Sequence, residues 1–294
     1  MGIQYYLKCV NCETVFDAKP VYKCPNCKGI LRVEYNFDNP DSFIDANTNT
    51  LKQKLIFHDG ETSNLLGEGD TPTLELQKTA KMFGLRKLFG KCEFSNPSGS
   101  FKDRPVAAGI KKAKDFGYNK VVVASSGNGA AAVASYSAKL NIESIILVPE
   151  STPAEKVKQS QFFGSKVIKV KGPYSNSYQL ALKMSELGEL YNLTTTFINP
   201  YTLEGDKGVA FEIHNQIEEW PDYIVVPIGA GPLLVGIYKG FQELNQIFKL
   251  VRNLPKMIGV QATGCSPISK AFKENAQTVF AEVNPHTIAG GIGD

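Results

Sequence analysis

The chain has 294 residues, of which 43% are hydrophobic and 21% are charged, and this composition excludes a wholly disordered protein. Its formal net charge of +3 is too small to indicate binding to nucleic acid or to an anionic membrane surface. The sequence has no run of about 18 apolar residues, the length that a membrane span needs, and no apolar stretch typical of a signal peptide. We therefore expect a cytoplasmic protein that does not enter the membrane.

Four cysteines form two CxxC turns, Cys9-Val-Asn-Cys12 and Cys24-Pro-Asn-Cys27. In a reducing compartment such a pair of turns is typical of structural zinc, because each turn directs two thiolates at one ion. Four thiolates leave the ion no open position, so we expect no catalysis there. The sequence predicts a zinc ribbon over residues 1–36, ending in an alternating strand at 31–35. A nucleic-acid-binding ribbon is the alternative, but its lysines are interspersed with acidic residues, which argues against it.

Residues 36–50 are rich in Asn, Asp and Thr and are predicted to form a connector. From about residue 65, short apolar runs rich in β-branched residues alternate with amphipathic stretches, which indicates parallel sheets with helical crossovers. The predicted strands are 121–124, 144–149, 166–170, 196–199, 223–227 and 257–260. The predicted helices are 130–140, 154–163, 178–191, 208–219 and 233–244. In such folds ligands bind beyond the carboxyl ends of the strands.

The first candidate loop for chemistry is Ser95-Asn-Pro-Ser-Gly-Ser-Phe-Lys102-Asp-Arg104. Asp103 is expected to cap the following helix and Pro105 to lie in its first turn, which places Lys102 at the helix N-terminus. The positive end of the helix disfavours an ammonium group, so we expect a lowered pKa and a nucleophilic amine for Lys102. The alternative for this loop taken alone is an ordinary solvated lysine.

Two further loops each join a predicted strand to a predicted helix. The loop Ser125-Ser126-Gly127-Asn128-Gly129 combines small residues with helix N–H groups that suit a carboxylate or a phosphate. The loop Gly229-Ala230-Gly231-Pro232-Leu233 has the form of a phosphate-binding turn. Either loop could instead be a tight turn without a ligand, with Asn128 as the helix cap in the first.

Together these motifs resemble the fold type II pyridoxal-phosphate enzymes and, within them, the threonine synthases. The resemblance runs from the cysteine turns through Gly67-Glu-Gly-Asp-Thr-Pro72, the three loops and Asn199-Pro-Tyr-Thr-Leu-Glu-Gly205 to Gly236-Ile-Tyr-Lys-Gly-Phe241. It covers nearly the whole chain in the family's order. It implies an α/β fold with parallel sheets like those of the tryptophan synthase β chain, preceded by the small zinc ribbon.

The resemblance also implies a role for each loop. Lys102 would hold pyridoxal 5'-phosphate through a Schiff base, and Asn128 would hydrogen-bond the ring hydroxyl of this cofactor. The cofactor phosphate would be bound by Gly229, Ala230, Gly231 and Leu233. The α-carboxylate of the substrate would be bound by Ser125, Ser126, Gly127 and Gly129. The catalytic core would cover residues 37–294, with a smaller inner subdomain at about 112–204.

The chain differs from the family pattern at several positions. The residues concerned are Gly129, Thr196, Phe197, Thr202 and Pro232. Thr202 stands where arginine is usual and cannot supply a guanidinium to a substrate phosphate, so we expect O-phosphohomoserine to be a poor substrate. The family core also continues past a segment like Thr287-Ile-Ala-Gly-Gly-Ile292. We therefore expect the C-terminal part of the family core to be absent from this chain.

The sequence thus predicts a pyridoxal-phosphate-dependent carbon–oxygen lyase of amino-acid biosynthesis that acts on a small α-amino acid with a leaving group. The nearest activity is that of threonine synthase, which converts O-phosphohomoserine and water to threonine and phosphate. Lys102 would also serve as the general base at the substrate Cα. The alternatives are cysteate synthase, a serine/threonine ammonia-lyase, or a cofactor-binding protein without turnover. We expect a homodimer with no nucleic-acid partner.

Overall fold

The computed structural model describes residues 5–37, 65–249 and 253–293. The predicted connector at 36–50 lies outside these residues from residue 38 onward. The first unit has three strands, β1 (Tyr5–Cys9), β2 (Val15–Phe16) and β3 (Leu31–Tyr35). They form an antiparallel sheet in the order β2-β1-β3. This sheet and the cysteine turns between its strands are called the ribbon below.

The last strand of the ribbon is amphipathic, as its alternating sequence predicts. Leu31, Val33 and Tyr35 are buried in the same hydrophobic core as the helices and strands that follow. Arg32 and Glu34 occupy the other face, with Arg32 Nε 2.6 Å from Glu34 Oε1. Successive residues of a strand face opposite sides, so one strand can join the core and still present charges. The domain boundaries at residues 36/37 and at about 112–204 stay predictions.

The elements after the ribbon begin with β4 (Thr73–Glu75), α1 (Gln77–Met82), β5 (Phe89–Lys91) and α2 (Asp103–Asp115). Next come β6 (Lys120–Ala124), α3 (Asn128–Leu140), β7 (Glu143–Pro149), α4 (Ala154–Phe162), β8 (Lys166–Val170), α5 (Tyr174–Glu186) and β9 (Tyr191–Asn192). The last are α6 (Thr202–Asp206), α7 (Gly208–Gln216), β10 (Tyr223–Pro227), α8 (Pro232–Ile247), β11 (Lys256–Val260) and α9 (Pro267–Lys273). None of the helices in the described ranges has the length and apolar character to cross a bilayer.

The central sheet has the strand order β8-β7-β6-β9, and all its pairings are parallel. Along β6, Val121 and Val123 belong to the main core together with α3, whereas Val122 and Ala124 pack in a second cluster with Ala181 of α5. Helices therefore cover both faces of this strand, which explains its continuous apolar sequence. A separate parallel pair, β10 and β11, precedes and follows α8.

The strand predicted at 196–199 is wrong. The strand in this region is β9 at Tyr191–Asn192, which pairs with β6. Phe197 has a φ of +55°, a left-handed conformation outside the β region that regular strands occupy. The side chain of Asn199 accepts a hydrogen bond from the N–H of Tyr201 at 3.0 Å and donates to the carbonyl of Asn192 at 2.8 Å. These local bonds replace those of a sheet, because asparagine readily bonds to nearby backbone.

A buried ion cluster fixes the start of α2 against α7. The Arg104 guanidinium, 3% exposed, contacts Glu93 from Nε at 2.7 Å and Glu212 from Nη1 at 2.6 Å. Its Nη2 contacts both carboxylates at 2.7 Å. Lys91 Nζ lies 2.8 Å from Glu212. Bidentate arginine–carboxylate pairs have a defined geometry, so this cluster holds the helix that follows Lys102 in one position.

A second ion cluster joins the ribbon to the core. Tyr35 of β3 donates to Glu204 of α6 at 2.8 Å, and both groups are buried. Lys207, fully buried, lies 2.5 Å from Glu204 and 2.9 Å from Glu243. Lys239 of α8 forms an ion pair with Glu204 and donates to the carbonyl of Val33 at 2.7 Å. The ribbon is thereby attached through charged and polar groups as well as apolar ones.

Candidate active site

Lys102 lies where the sequence places it, directly before α2, and has helical backbone angles. Its Nζ donates to the hydroxyl of Thr195 at 2.8 Å and lies 4.9 Å from the centre of the Phe101 ring. The side chain is half-buried. Its amine therefore lies at a helix N-terminus, within hydrogen-bond distance of a hydroxyl.

The predicted cap of α2 is wrong in detail. Asp103 is the first helical residue and Lys102 takes the cap position. The Asp103 carboxylate accepts hydrogen bonds from the Ser98 N–H at 2.9 Å and the Ser98 hydroxyl at 2.8 Å. It therefore closes the preceding loop onto the helix start, which orients Lys102. A short acidic side chain at this place can serve the loop as well as the helix, and sequence cannot separate the two.

The second candidate loop follows β6 directly. Gly127 occupies the cap position of α3, so Asn128 is the first helical residue and not the cap that the alternative interpretation of this loop gave it. The side chain of Asn128 is exposed, and Ser125 and Ser126 are half-buried. A Cβ on Gly129 would lie 3.0 Å from Ser125 Oγ, so a larger residue would displace this hydroxyl. The loop offers small polar groups and a helix N-terminus, a combination that suits an anion.

The third candidate loop connects β10 to α8. Gly231 has a φ of +93° in the cap position, and Pro232 begins the helix. Glycine alone adopts this conformation without strain. Gly229 and Ala230 are half-buried, and the N–H groups of residues 229–231 have no acceptor within the described chain. N–H groups without an acceptor at the positive end of a long helix suit a phosphate, so this turn fits the phosphate of the expected cofactor.

Residues 194–195 contact the first loop and the strand end that precedes the second loop. The hydroxyl of Thr194 accepts from the N–H of Ala124, at the end of β6, at 3.1 Å. The neighbouring Thr195 accepts from Lys102. Thr195 and Pro232 both line a cavity of ≈ 670 Å³. Neither Lys102 nor the 125–129 loop is among the described residues that line it. Lys102 and the end of β6 thus approach one segment, and the third loop shares a cavity with that segment.

Asp206 is a buried group near Lys102 that the sequence did not indicate. It ends α6, is 1% exposed, and its Oδ1 has no hydrogen-bond partner among the described residues. Burial raises the pKa of Asp206 to about 7, although the charges of Lys102 and Arg104 oppose this rise. An aspartate in a polar, helical stretch normally lies in water, so composition gives no sign of its burial.

We expect the stability of the protein to depend on pH through Asp206. Its pKa of about 7 exceeds the value of about 3.9 in an unfolded chain. As pH rises from about 4 toward 7, the unfolded chain loses this proton first, so the free energy of unfolding decreases. Between pH 5 and pH 8 the wild type should lose about 2 kcal/mol more of its unfolding free energy than Asp206→Asn loses. Urea unfolding at both pH values measures this. Asp222→Asn, at an exposed site, is the control, and an equal fall in both variants would refute the assignment.

The four ribbon cysteines come together as predicted. Their sulfur atoms all lie within 4.8 Å of one another. Cys9 and Cys24 are buried, whereas Cys12 and Cys27 are exposed at the tips of their turns. Four thiolates around one point form a donor set suited to a tetrahedral ion.

Comparisons with known proteins identify the family of the chain. The family profile described as "Pyridoxal-phosphate dependent enzyme" matches residues 65–294. The chain is 38% identical over 300 residues to a threonine synthase of Methanosarcina acetivorans, covering 98% of this chain and 72% of the relative. It is 33% identical to a threonine synthase of Methanocaldococcus jannaschii, covering 97% of this chain and 72% of the relative.

A solved structure of maize serine racemase superposes with a TM-score of 0.64 at 26% identity, covering 76% of this chain and 64% of that one. The predicted fold class, a fold type II α/β enzyme with a small cysteine-rich ribbon, is therefore confirmed. The predicted enzyme class, a lyase similar to threonine synthase, is confirmed as well. The chain belongs to the pyridoxal-phosphate-dependent enzymes and, within them, to the threonine synthase family.

Proposed function

We propose that this protein is a threonine synthase that converts O-phosphohomoserine and water to threonine and phosphate. The observation that carries the proposal is the position of Lys102, a half-buried amine at a helix N-terminus within the motif that the family resemblance assigns to the cofactor. The relatives named threonine synthase at 38% and 33% identity support it.

We further propose which residues hold pyridoxal 5'-phosphate. Lys102 Nζ would bond to it covalently, Asn128 would hydrogen-bond its ring hydroxyl, and the turn from Gly229 through Ala230 and Gly231 to Leu233 would take its phosphate. When bound, this cofactor supplies an electron sink for the carbanion formed at the substrate Cα. The orphan N–H groups and the left-handed Gly231 support the phosphate assignment.

The protein itself would bind the substrate and move its protons. The loop of Ser125, Ser126, Gly127 and Gly129 would bind the α-carboxylate through its N–H groups and hydroxyls. Lys102 Nζ, once the substrate amino group has displaced it from its covalent bond, would remove the Cα proton and hold it for later return. The hydroxyl of Thr195, 2.8 Å from Nζ, would orient the amine while it carries that proton.

A β-elimination or β-replacement activity is the second candidate. The observation that favours it is Thr202, which is 3% exposed and donates its hydroxyl to the carbonyl of Asn199 at 2.7 Å. Thr202 therefore offers neither charge nor a free proton to a substrate phosphate. Steady-state kinetics with O-phosphohomoserine, phosphoserine, serine and threonine separate the candidates. Preference for O-phosphohomoserine supports threonine synthase; preference for phosphoserine with sulfite supports cysteate synthase; ammonia release from serine or threonine supports an ammonia-lyase.

For the ribbon, we propose that Cys9, Cys12, Cys24 and Cys27 bind one structural Zn²⁺. Purified protein should contain one zinc per chain with Zn–S distances of about 2.3 Å. Cys12→Ser should lose most of the metal and unfold the ribbon, because such a small sheet depends on its ion for stability. Metal analysis with X-ray absorption measures this. Cys92→Ser, at a buried thiol outside the cluster, should keep the zinc. Absence of both zinc and iron from wild-type protein would contradict the proposal.

We also propose a cytoplasmic homodimer that acts on a small amino acid and binds no nucleic acid. The paired CxxC turns support a reducing compartment. Light scattering coupled to size-exclusion chromatography tests the dimer, and a salt titration of DNA and RNA binding tests the absence of nucleic-acid affinity.

A further inference from the structure

We infer that Arg32 of the ribbon binds the phosphate group of the substrate, an inference that rests on the proposed function. The relevant space is the cavity of ≈ 670 Å³ between the ribbon and the core. One wall consists of Phe37 and of the ribbon residues Val10, Ile30, Leu31, Arg32 and Glu34. The other consists of residues between 195 and 203 and of one side of α8.

This cavity borders the reactive amine. Thr195 lines it and also accepts the hydrogen bond of Lys102 Nζ at 2.8 Å. Pro232, the first residue of α8, lines it from another side. A substrate whose Cα lies beside Lys102 can therefore extend its side chain past Thr195 into this space. The phosphate, at the far end of that side chain, would then lie toward the ribbon.

A phosphate in a partly enclosed cavity needs a cationic partner. Among the described residues that line the cavity, the cations are Arg32 and Lys239, and the anions are Glu34 and Glu243. The Lys239 side chain is 13% exposed and lies 3.5 Å from Glu243. It also pairs with Glu204 and donates to the carbonyl of Val33. These three partners hold the Lys239 ammonium at the junction of ribbon and core.

Arg32 is in a different position. Its side chain is 45% exposed, and the contact to Glu34 is made by Nε at 2.6 Å. Guanidinium has five N–H donors in a planar fork, so the two terminal nitrogens can still bind phosphate oxygens in bidentate geometry. Glu34 orients the fork but also opposes an anion by its charge. Loss of Arg32 and loss of Glu34 should therefore change phosphate affinity in opposite directions.

This inference reverses the expectation drawn from Thr202 alone. That expectation assumed that a guanidinium could reach the phosphate only from position 202. Arg32 is separated from that position by most of the chain, yet both residues line one cavity. O-phosphohomoserine is therefore expected to bind well.

The test compares Arg32→Gln, Arg32→Lys and Glu34→Gln in the cofactor-loaded protein. The loop at residues 229–233 then holds the cofactor phosphate and does not compete for the inorganic phosphate. Binding of inorganic phosphate is measured from the broadening of its phosphorus NMR line, and KM and kcat are measured with O-phosphohomoserine. Lys23→Gln, which removes an exposed ribbon charge outside the cavity, is the matched control. Circular dichroism and zinc content verify that each variant is folded.

Arg32→Gln should weaken phosphate binding and raise KM by about tenfold or more. Arg32→Lys should show an intermediate loss, and Glu34→Gln should tighten phosphate binding. Binding of homoserine, which lacks the phosphate, should change by less than about twofold. Unchanged phosphate affinity in Arg32→Gln, or an equal loss for homoserine, would overturn the inference. If O-phosphohomoserine is not turned over at all, the proposed function fails, but the phosphate titration still decides the role of Arg32.

Discussion

Lys102→Ala is expected to abolish the visible absorbance of bound cofactor and to lower turnover by at least about 10³-fold. The reason is that one amine serves both as the covalent attachment and as the general base, and general-base catalysis alone contributes about 10²–10⁴-fold. The fold should survive, because the Lys102 side chain is only half-buried.

Absorbance spectra of the cofactor-loaded variant and steady-state kinetics measure these effects. Lys158→Ala, which removes an exposed lysine of α4, should behave like the wild type. A Lys102→Ala protein that keeps both its chromophore and its activity would show that another lysine holds the cofactor.

Arg104→Met is expected to lower the free energy of unfolding by about 3 kcal/mol, because it leaves the buried Glu212 and the half-buried Glu93 without their main partner. Burial alone would raise the pKa of Glu93, but the Arg104 guanidinium holds this pKa below its ordinary value. A carboxylate with a lowered pKa stabilises the folded state above its unfolded pKa of about 4.3 and loses that contribution as pH falls. The deficit of Arg104→Met should therefore shrink in acid.

Urea unfolding at pH 7 and at pH 4 measures this deficit. Arg86→Met is the control, because Arg86 and Glu219 are both exposed and lie 4.0 Å apart. Removal of such a pair should change stability by about 0–1 kcal/mol. Equal destabilisation by the two substitutions would contradict a structural role for the buried cluster. Because α2 follows Lys102 directly, Arg104→Met should also weaken cofactor binding.

Much of the fold follows from local sequence patterns. The alternation in β3 predicts which residues join the core, and the apolar runs predict β6, β7, β8, β10 and β11 within one or two residues. Both patterns depend on neighbouring residues alone, so they can be recognised without knowing how the rest of the chain packs. The prediction of a strand at 196–199 was wrong because Phe197 has a left-handed backbone and the Asn199 side chain bonds to nearby backbone, although the stretch contains β-branched residues.

The site was harder to predict where it depends on contacts between distant residues. The position of Lys102 follows from its loop and helix, but its partner Thr195 lies 93 residues away. The burial of Asp206 and the place of Arg32 beside Thr202 depend on how helices and the ribbon pack. Hydrophobic periodicity reports which face of an element is buried, and it does not report which element covers that face.

The most direct test of the account is to identify the lysine that carries the cofactor. Cofactor-loaded protein is reduced with borohydride, digested, and analysed by mass spectrometry. We expect the added pyridoxyl mass on the peptide that contains Lys102 and on no other. The strongest physical rival is Lys111, because burial lowers its pKa to about 8. Modification of Lys111, or of any lysine other than Lys102, would contradict the central claim.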